Sequence, residues 1–206
     1  MALLGKTYHT FSDEDLMLHV AEKDSKAFAA LYDRYSGRVV NYFHRMLWQD
    51  EELAQDFMQE LFMKIVHKPE LYQQGRPFKT WFFSIANNMC KNEYRRREVR
   101  KGTANELPEQ VMGESGLGIE SNVDHTEFRA RLNEALEELD EAKRSVFLLR
   151  YEQDMSIKEI SEALECSEGT VKSRLFYTLK MLNSKLKAFE GIGAMLIIMN
   201  WINEWI

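Results

Sequence analysis

Proline is scarce in this chain, three in 206 residues, and there are ten glycines. Long stretches therefore contain nothing that would interrupt a helix. Cysteine is scarcer still, Cys90 and Cys166 alone. Two thiols far apart in sequence, with no second pair nearby, indicate neither a disulfide framework nor a metal site. A reducing cytoplasm fits, and the N-terminus lacks the charged-then-apolar layout of a secretory signal. The five histidines are scattered. No Ser/His/Asp, metal-ligand or phosphate-loop constellation appears, so neither an enzyme nor a cofactor is expected. Gly113, Gly116 and Gly118 cluster, but without a preceding strand or a basic neighbour, which argues against a phosphate loop.

Positive charge is also in short supply. The formal net charge is -6, unusual for a protein that holds DNA alone, because duplex affinity comes largely from neutralised phosphates. The charge is uneven, however. Lys91, Arg95, Arg96, Arg97, Arg100 and Lys101 crowd one segment against only Glu93 and Glu98. Residues 102–127 then carry Glu106, Glu109, Glu114, Glu120, Asp124 and Glu127 with no Lys or Arg.

The most informative stretch lies near the C-terminal end. Ser156 and Glu159 are spaced as a capping box, followed by Ile157, Ile160 and Leu164 at helical spacing. Glu165-Cys166 supplies a short turn, and Ser167 can cap a second helix. In that helix Val171, Leu175, Leu179 and Leu182 mark the buried side, leaving Lys172, Ser173 and Arg174 outside. Gly169 and Thr170 are small, so the helix start can approach a partner closely. The pattern reads as a DNA-binding helix-turn-helix, with an ordinary helical hairpin as the alternative.

The rest of the chain reads as all-α, in two small helical domains joined by a flexible acidic linker. Residues 1–11 show no period and read as loosely held. A helix starts at Ser12, another runs from about Ser25 to Trp48, and Asp50 opens a third that Pro69 stops. A fourth begins near Pro77 and ends in the basic cluster. Residues 12–101 thus form the first domain. Residues 102–125, with five glycines or prolines and no aromatic residue, form the linker. Residues 126–187 form the second domain: Phe128, Leu132, Leu136 and Leu139 make one stripe, and Asp140 can cap the helix holding Val146 to Leu149.

The tail, 188–206, is almost wholly apolar, with Asn200, Asn203 and Glu204 on one side near its end. Its unbroken apolar run is shorter than the ~20 residues of a membrane span. It also lacks the basic face of a surface-bound helix. Three fates are open: fold-back on the second domain, membrane contact, or docking on another protein through Trp201, Ile202, Trp205 and Ile206.

Three segments carry a resemblance. Residues 78–97, from Phe78-Lys79-Thr80-Trp81 to Tyr94-Arg95-Arg96-Arg97, resemble the promoter-melting helix of extracytoplasmic-function sigma factors of the bacterial sigma-70 family. Residues 54–62 resemble the preceding helix, which docks on the polymerase clamp. Residues 139–182 are similar to the domain that reads the promoter −35 element. The resemblance implies that RNA polymerase core and promoter DNA are partners. It implies that Asn88, Lys91 and Asn92 face the melted −10 strand and that Arg95, Arg96 and Arg97 hold adjacent phosphates. It places Asp56, Gln59 and Glu60 against the clamp, and Ser167, Glu168, Thr170, Lys172, Ser173 and Arg174 at the −35 element. An anti-sigma factor or a recruiting protein is a further expected partner.

The residue types agree with this reading. Rings stack on unpaired bases, Lys and Arg track the backbone, and amides read the edge of a flipped base. Trp81, Phe82 and Ile85 are nonetheless more simply read as core. A helix C-terminus favouring cations competes as the account of the basic run. Two departures stand out. Family members usually have Gly where this chain has Glu165, and the recognition helix continues as Phe176-Tyr177-Thr178 where further Arg is common. The second functional class weighed is a stand-alone helix-turn-helix regulator with an N-terminal sensing or dimerising domain.

Overall fold

A computed structural model describes residues 8–103 and 123–186. Every element among them is helical, and they divide into two compact units. The first holds α1 (Asp13–Ala21), α2 (Ser25–Met46), α3 (Glu51–His67) and α4 (Phe78–Thr103). The second holds α5 (Val123–Glu137), α6 (Glu141–Tyr151), most of α7 (Ile157–Leu164), and α8 (Glu168–Lys185). Apart from residues 102–103 and 123–125, which are helical, the expected linker lies outside the described residues. So does the tail 188–206.

The helix starts follow from side-chain oxygens that satisfy otherwise orphaned amides. Ser12 accepts from the Asp15 amide at 3.0 Å, and Asp50 from that of Leu53 at 2.9 Å. Asp24 accepts from Lys26 and Ala27. The start of α4 is capped from a distance: the Phe78 amide donates to Glu14 of α1 at 2.7 Å. The first core is aromatic. Tyr35, Tyr42, Phe43, Phe78, Phe82 and Phe83 are fully buried, and their rings meet at angles, as at Tyr35–Phe82 (4.9 Å) and Tyr42–Phe83 (5.6 Å). Tilted and edge-on contacts of this kind match the ring quadrupoles.

Three boundaries differ from the expectation. Residues 8–11 are not loose: the Arg34 guanidinium donates to the carbonyls of Tyr8, His9 and Phe11, and to Asp13 at 2.6 Å. The Tyr8 hydroxyl also donates to Asp24 at 2.7 Å. Second, α2 ends at Met46, because Trp48 and Gln49 enter the left-handed region at φ 56° and 58°. Third, α4 runs to Thr103 and α5 begins at Val123.

In the second unit Val146, Leu148, Leu149, Ile160, Val171, Leu175 and Leu182 are buried together with Leu136 and Leu139. Arg144 is buried as well. It donates to the carbonyls of Leu136, Glu137 and Leu139, so it closes the C-terminal end of α5 as a charged cap.

Candidate nucleic-acid interface

On α4 the helical period puts Asn88, Lys91, Asn92, Arg95 and Arg96 along one stripe. Asn88, Asn92, Arg95 and Arg96 are exposed and Lys91 is half-buried. The side chains of Asn88, Lys91, Asn92 and Arg95 make no hydrogen bond or ion pair with any described residue. Arg96 is engaged: Glu93, nearly buried, pairs with it at 3.5 Å and with Arg100 at 2.7 Å. Arg97 leaves the stripe. It lies about 200° around the helix from Arg95, and its guanidinium stacks 4.0 Å over the Trp48 ring.

The rings of this helix do not form a stacking platform. Trp81, Phe82 and Phe83 are buried, Trp81 against Tyr72 (5.1 Å) and Phe78 (5.8 Å). Ile85 is half-buried. The aromatic residues hold the helix down, and amides and cations remain as its outward chemistry.

The turn and second helix of the helix-turn-helix are built as their spacing predicts. The Ser156–Glu159 capping box is complete. Glu165 caps α7 in the left-handed conformation, φ 53° and ψ 46°. Ser167 caps α8 by accepting from the Thr170 amide at 3.1 Å, and the two hydroxyls meet at 2.9 Å. Their side chains are thus turned to each other. Glu168, Gly169, Lys172 and Ser173 are exposed. A Cβ at Gly169 would touch only the Ser167 hydroxyl, at 3.7 Å, so the fold itself has room there. Arg174 is half-buried and points back toward the Cys166 sulfur at 3.9 Å.

Phe176 and Tyr177 continue the exposed side of α8, with rings 5.4 Å apart. Their exposure follows from the Val171–Leu175–Leu179 stripe. At the adjoining corner Asp140 caps α6, accepting from the Lys143 amide at 2.8 Å and its ammonium at 2.6 Å. Burial pushes its carboxyl up, but the two Lys143 bonds, the Lys143 charge and the Arg174 charge outweigh this and hold it below the usual range.

On α3, Asp56, Gln59 and Glu60 share one exposed surface, and Glu60 pairs with Lys64 at 2.7 Å. Met63 and Val66 extend that surface with exposed apolar atoms. Neither stood out in the sequence, where they merge with the apolar stripe. Among the described residues no group of His, Cys, Asp or Glu is placed to hold a metal. No described helix is long and apolar enough to cross a membrane.

Comparison with known proteins agrees with this layout. Residues 31–100 match the family profile of Sigma-70 region 2, and residues 129–182 that of Sigma-70 region 4. The chain is 26% identical over 183 residues to the ECF RNA polymerase sigma-E factor of Haemophilus influenzae, covering 85% of this chain and 96% of that one. It is 27% identical over 179 residues to the ECF sigma factor SigW of Bacillus subtilis, with 82% and 93% covered. Against the sigma-E factor of Escherichia coli K12 the identity is 28% over 184 residues, with 85% and 95% covered. The fold is similar to that of the sigma factor RpoE from Bartonella quintana, solved with the anti-sigma factor NepR: TM-score 0.68, 21% identity, 79% of this chain and 98% of that one. It is also similar to CnrH, solved with the cytosolic domain of CnrY: TM-score 0.63, 24% identity, 85% and 97% covered.

Proposed function

Because this chain belongs to the extracytoplasmic-function group of the sigma-70 family, we propose that its two helical units divide promoter recognition between them. It is a sigma factor, a subunit that binds core RNA polymerase and directs it to promoters for transcription initiation. In this reading residues 12–101 bind the polymerase clamp and open the −10 element. Residues 126–187 read the −35 element, residues 102–125 link the two, and the work is done in the cytoplasm. Asp56, Gln59 and Glu60 meet the clamp. Asn88, Lys91 and Asn92 read the unpaired strand, and Arg95 and Arg96 follow its phosphates. On α8, Ser167, Glu168, Thr170, Lys172, Ser173 and Arg174 border the −35 duplex.

The observation that carries the reading is the α4 stripe. Two amides and two cations with no described partner lie side by side on a helix anchored by buried rings. Side-chain amides have both donors and acceptors for a base edge, and a nearby cation favours the strand that brings it. Residues 31–100, where a stand-alone regulator of this layout would carry its sensing or dimerising domain, match Sigma-70 region 2 instead. An anti-sigma factor belongs among the partners, as one does for the fold relative from Bartonella quintana. The apolar tail, through Trp201, Ile202, Trp205 and Ile206, is proposed as the seat of a recruiting protein on its composition alone.

Core polymerase reconstituted with the chain should open a cognate promoter. Asn88→Ala with Asn92→Ala should reduce opening while leaving polymerase binding nearly intact. Undiminished opening by the double variant refutes the assignment of the stripe.

A further inference from the structure

Arg97 differs from the other arginines of the basic run. Arg96 and Arg100 are committed to Glu93. Arg97 is held instead by a ring: its guanidinium lies 4.0 Å over Trp48. Stacking engages the π face of a guanidinium and leaves its five in-plane N–H donors for another partner. The Arg97 side chain makes no hydrogen bond or ion pair with a described residue. Nor does the helix end account for it. The terminal dipole acts within the last turn, and Arg97 lies more than a turn inside the end at Thr103.

The ring beneath it is fixed from two sides. Trp48 packs on Tyr94 of α4 at 4.8 Å, and the Tyr94 hydroxyl donates to the Met46 carbonyl at the end of α2. Trp48 and Gln49 both take left-handed backbone conformations, which a non-glycine residue adopts at a cost. Glycine or asparagine would suit this corner better on backbone grounds alone. The chain places a large indole there instead. Strain of this kind persists where surrounding contacts over-determine it.

We propose that Trp48 is a positioning residue, which presents the Arg97 guanidinium to a backbone phosphate of promoter DNA. The ligand chemistry is a phosphodiester: planar, paired donors match its two oxygens. Arg97 lies roughly opposite Asn88 around α4, about 180° away. The phosphate it takes is therefore distinct from those met by the Asn88–Arg95 stripe, on duplex flanking the opened segment. This inference rests on the sigma-factor reading above.

The test uses holoenzyme made from core polymerase and the full chain, with promoter affinity measured against potassium chloride concentration. Arg97→Ala should lower the log–log salt slope by about 0.9, one phosphate contact. Trp48→Leu should remove most of the same increment, Trp48→Phe should keep it, and Trp48→Leu with Arg97→Ala should be no worse than Arg97→Ala alone. A merely structural Trp48 would change stability without this slope or its rescue by Phe. An unchanged slope in Arg97→Ala overturns the proposal even if Trp48→Leu fails to fold. Additive losses in the double variant overturn the positioning role. Weaker binding of Arg97→Ala to core polymerase, with the promoter slope unchanged, assigns the guanidinium to a protein carboxylate and refutes the phosphate. If Asn88→Ala with Asn92→Ala impairs opening while Arg97→Ala is silent, only this inference fails. If the chain forms no promoter complex at all, the sigma-factor reading fails with it.

Discussion

Glu165 gives the sharpest stability prediction. It ends α7 with φ 53° and ψ 46°, and its side chain is exposed. Its amide donates to Ser161, as does that of Cys166 at 3.0 Å. These are backbone bonds that any residue at this position would make. A non-glycine residue in this region is strained by roughly 1–2 kcal/mol, because Cβ crowds the following carbonyl oxygen. Glycine removes the strain but loosens the unfolded chain, which offsets about 0.4–1 kcal/mol. Glu165→Gly should therefore stabilise the second unit by about 0.5–1 kcal/mol net. Native-state hydrogen exchange of the α7 and α8 amides reads this directly. Protection limited by unfolding of the unit should rise about two- to fivefold. Glu165→Ala is the control, since alanine keeps Cβ and should leave exchange nearly unchanged. An equal gain from alanine, or no gain from glycine, would refute the reasoning from backbone strain.

Two further outcomes follow from the fold. Arg34→Met should free residues 8–11, which depend on its donors. Limited proteolysis should cut there, and the first unit should lose about 1–2 kcal/mol, the range for charge-assisted bonds at a partly exposed site. Asp140→Asn keeps an N-cap oxygen but removes the charge that Lys143 and Arg174 favour. Because the folded carboxyl titrates below its ordinary 3.8, its contribution is present above that pH and lost as pH falls through the folded value. Denaturation at neutral pH should show the variant weaker by a few tenths of a kcal/mol, as exposure screens the pair, with the difference vanishing in acid.

Much of the fold was legible from side-chain chemistry of short range. Ser12, Asp50, Asp140, Ser156 and Ser167 each cap the helix that their sequence context indicates. The Val171–Leu182 stripe is buried as its spacing predicts. Glu165 sits in the left-handed region, at the short turn expected between the two helices. The unreadable parts depend on residues far apart in sequence. Glu14 caps a helix 64 residues away, and Arg34 ties a segment more than 20 residues before it. Periodicity carries no signal of such bonds. The candidate site was legible in kind but less so in grouping. A basic run reads as one cluster along the chain, whereas helical geometry sends Arg97 to Trp48 and Arg96 to Glu93. Likewise Ser167 and Thr170 look available in sequence but face each other in the cap.

The central claim is that this chain opens promoters with RNA polymerase through the α4 stripe. Permanganate footprinting of a cognate promoter tests it most directly, because only unpaired thymines react. Core polymerase with the full chain should give reactive thymines across the −10 element, and core polymerase alone should give none. Asn88→Ala with Asn92→Ala, bound to core as tightly as the parent chain, should lower that reactivity by about tenfold, the worth of lost base-edge contacts. Full reactivity with the double variant, or an absence of reactive thymines with the parent chain, would contradict the account.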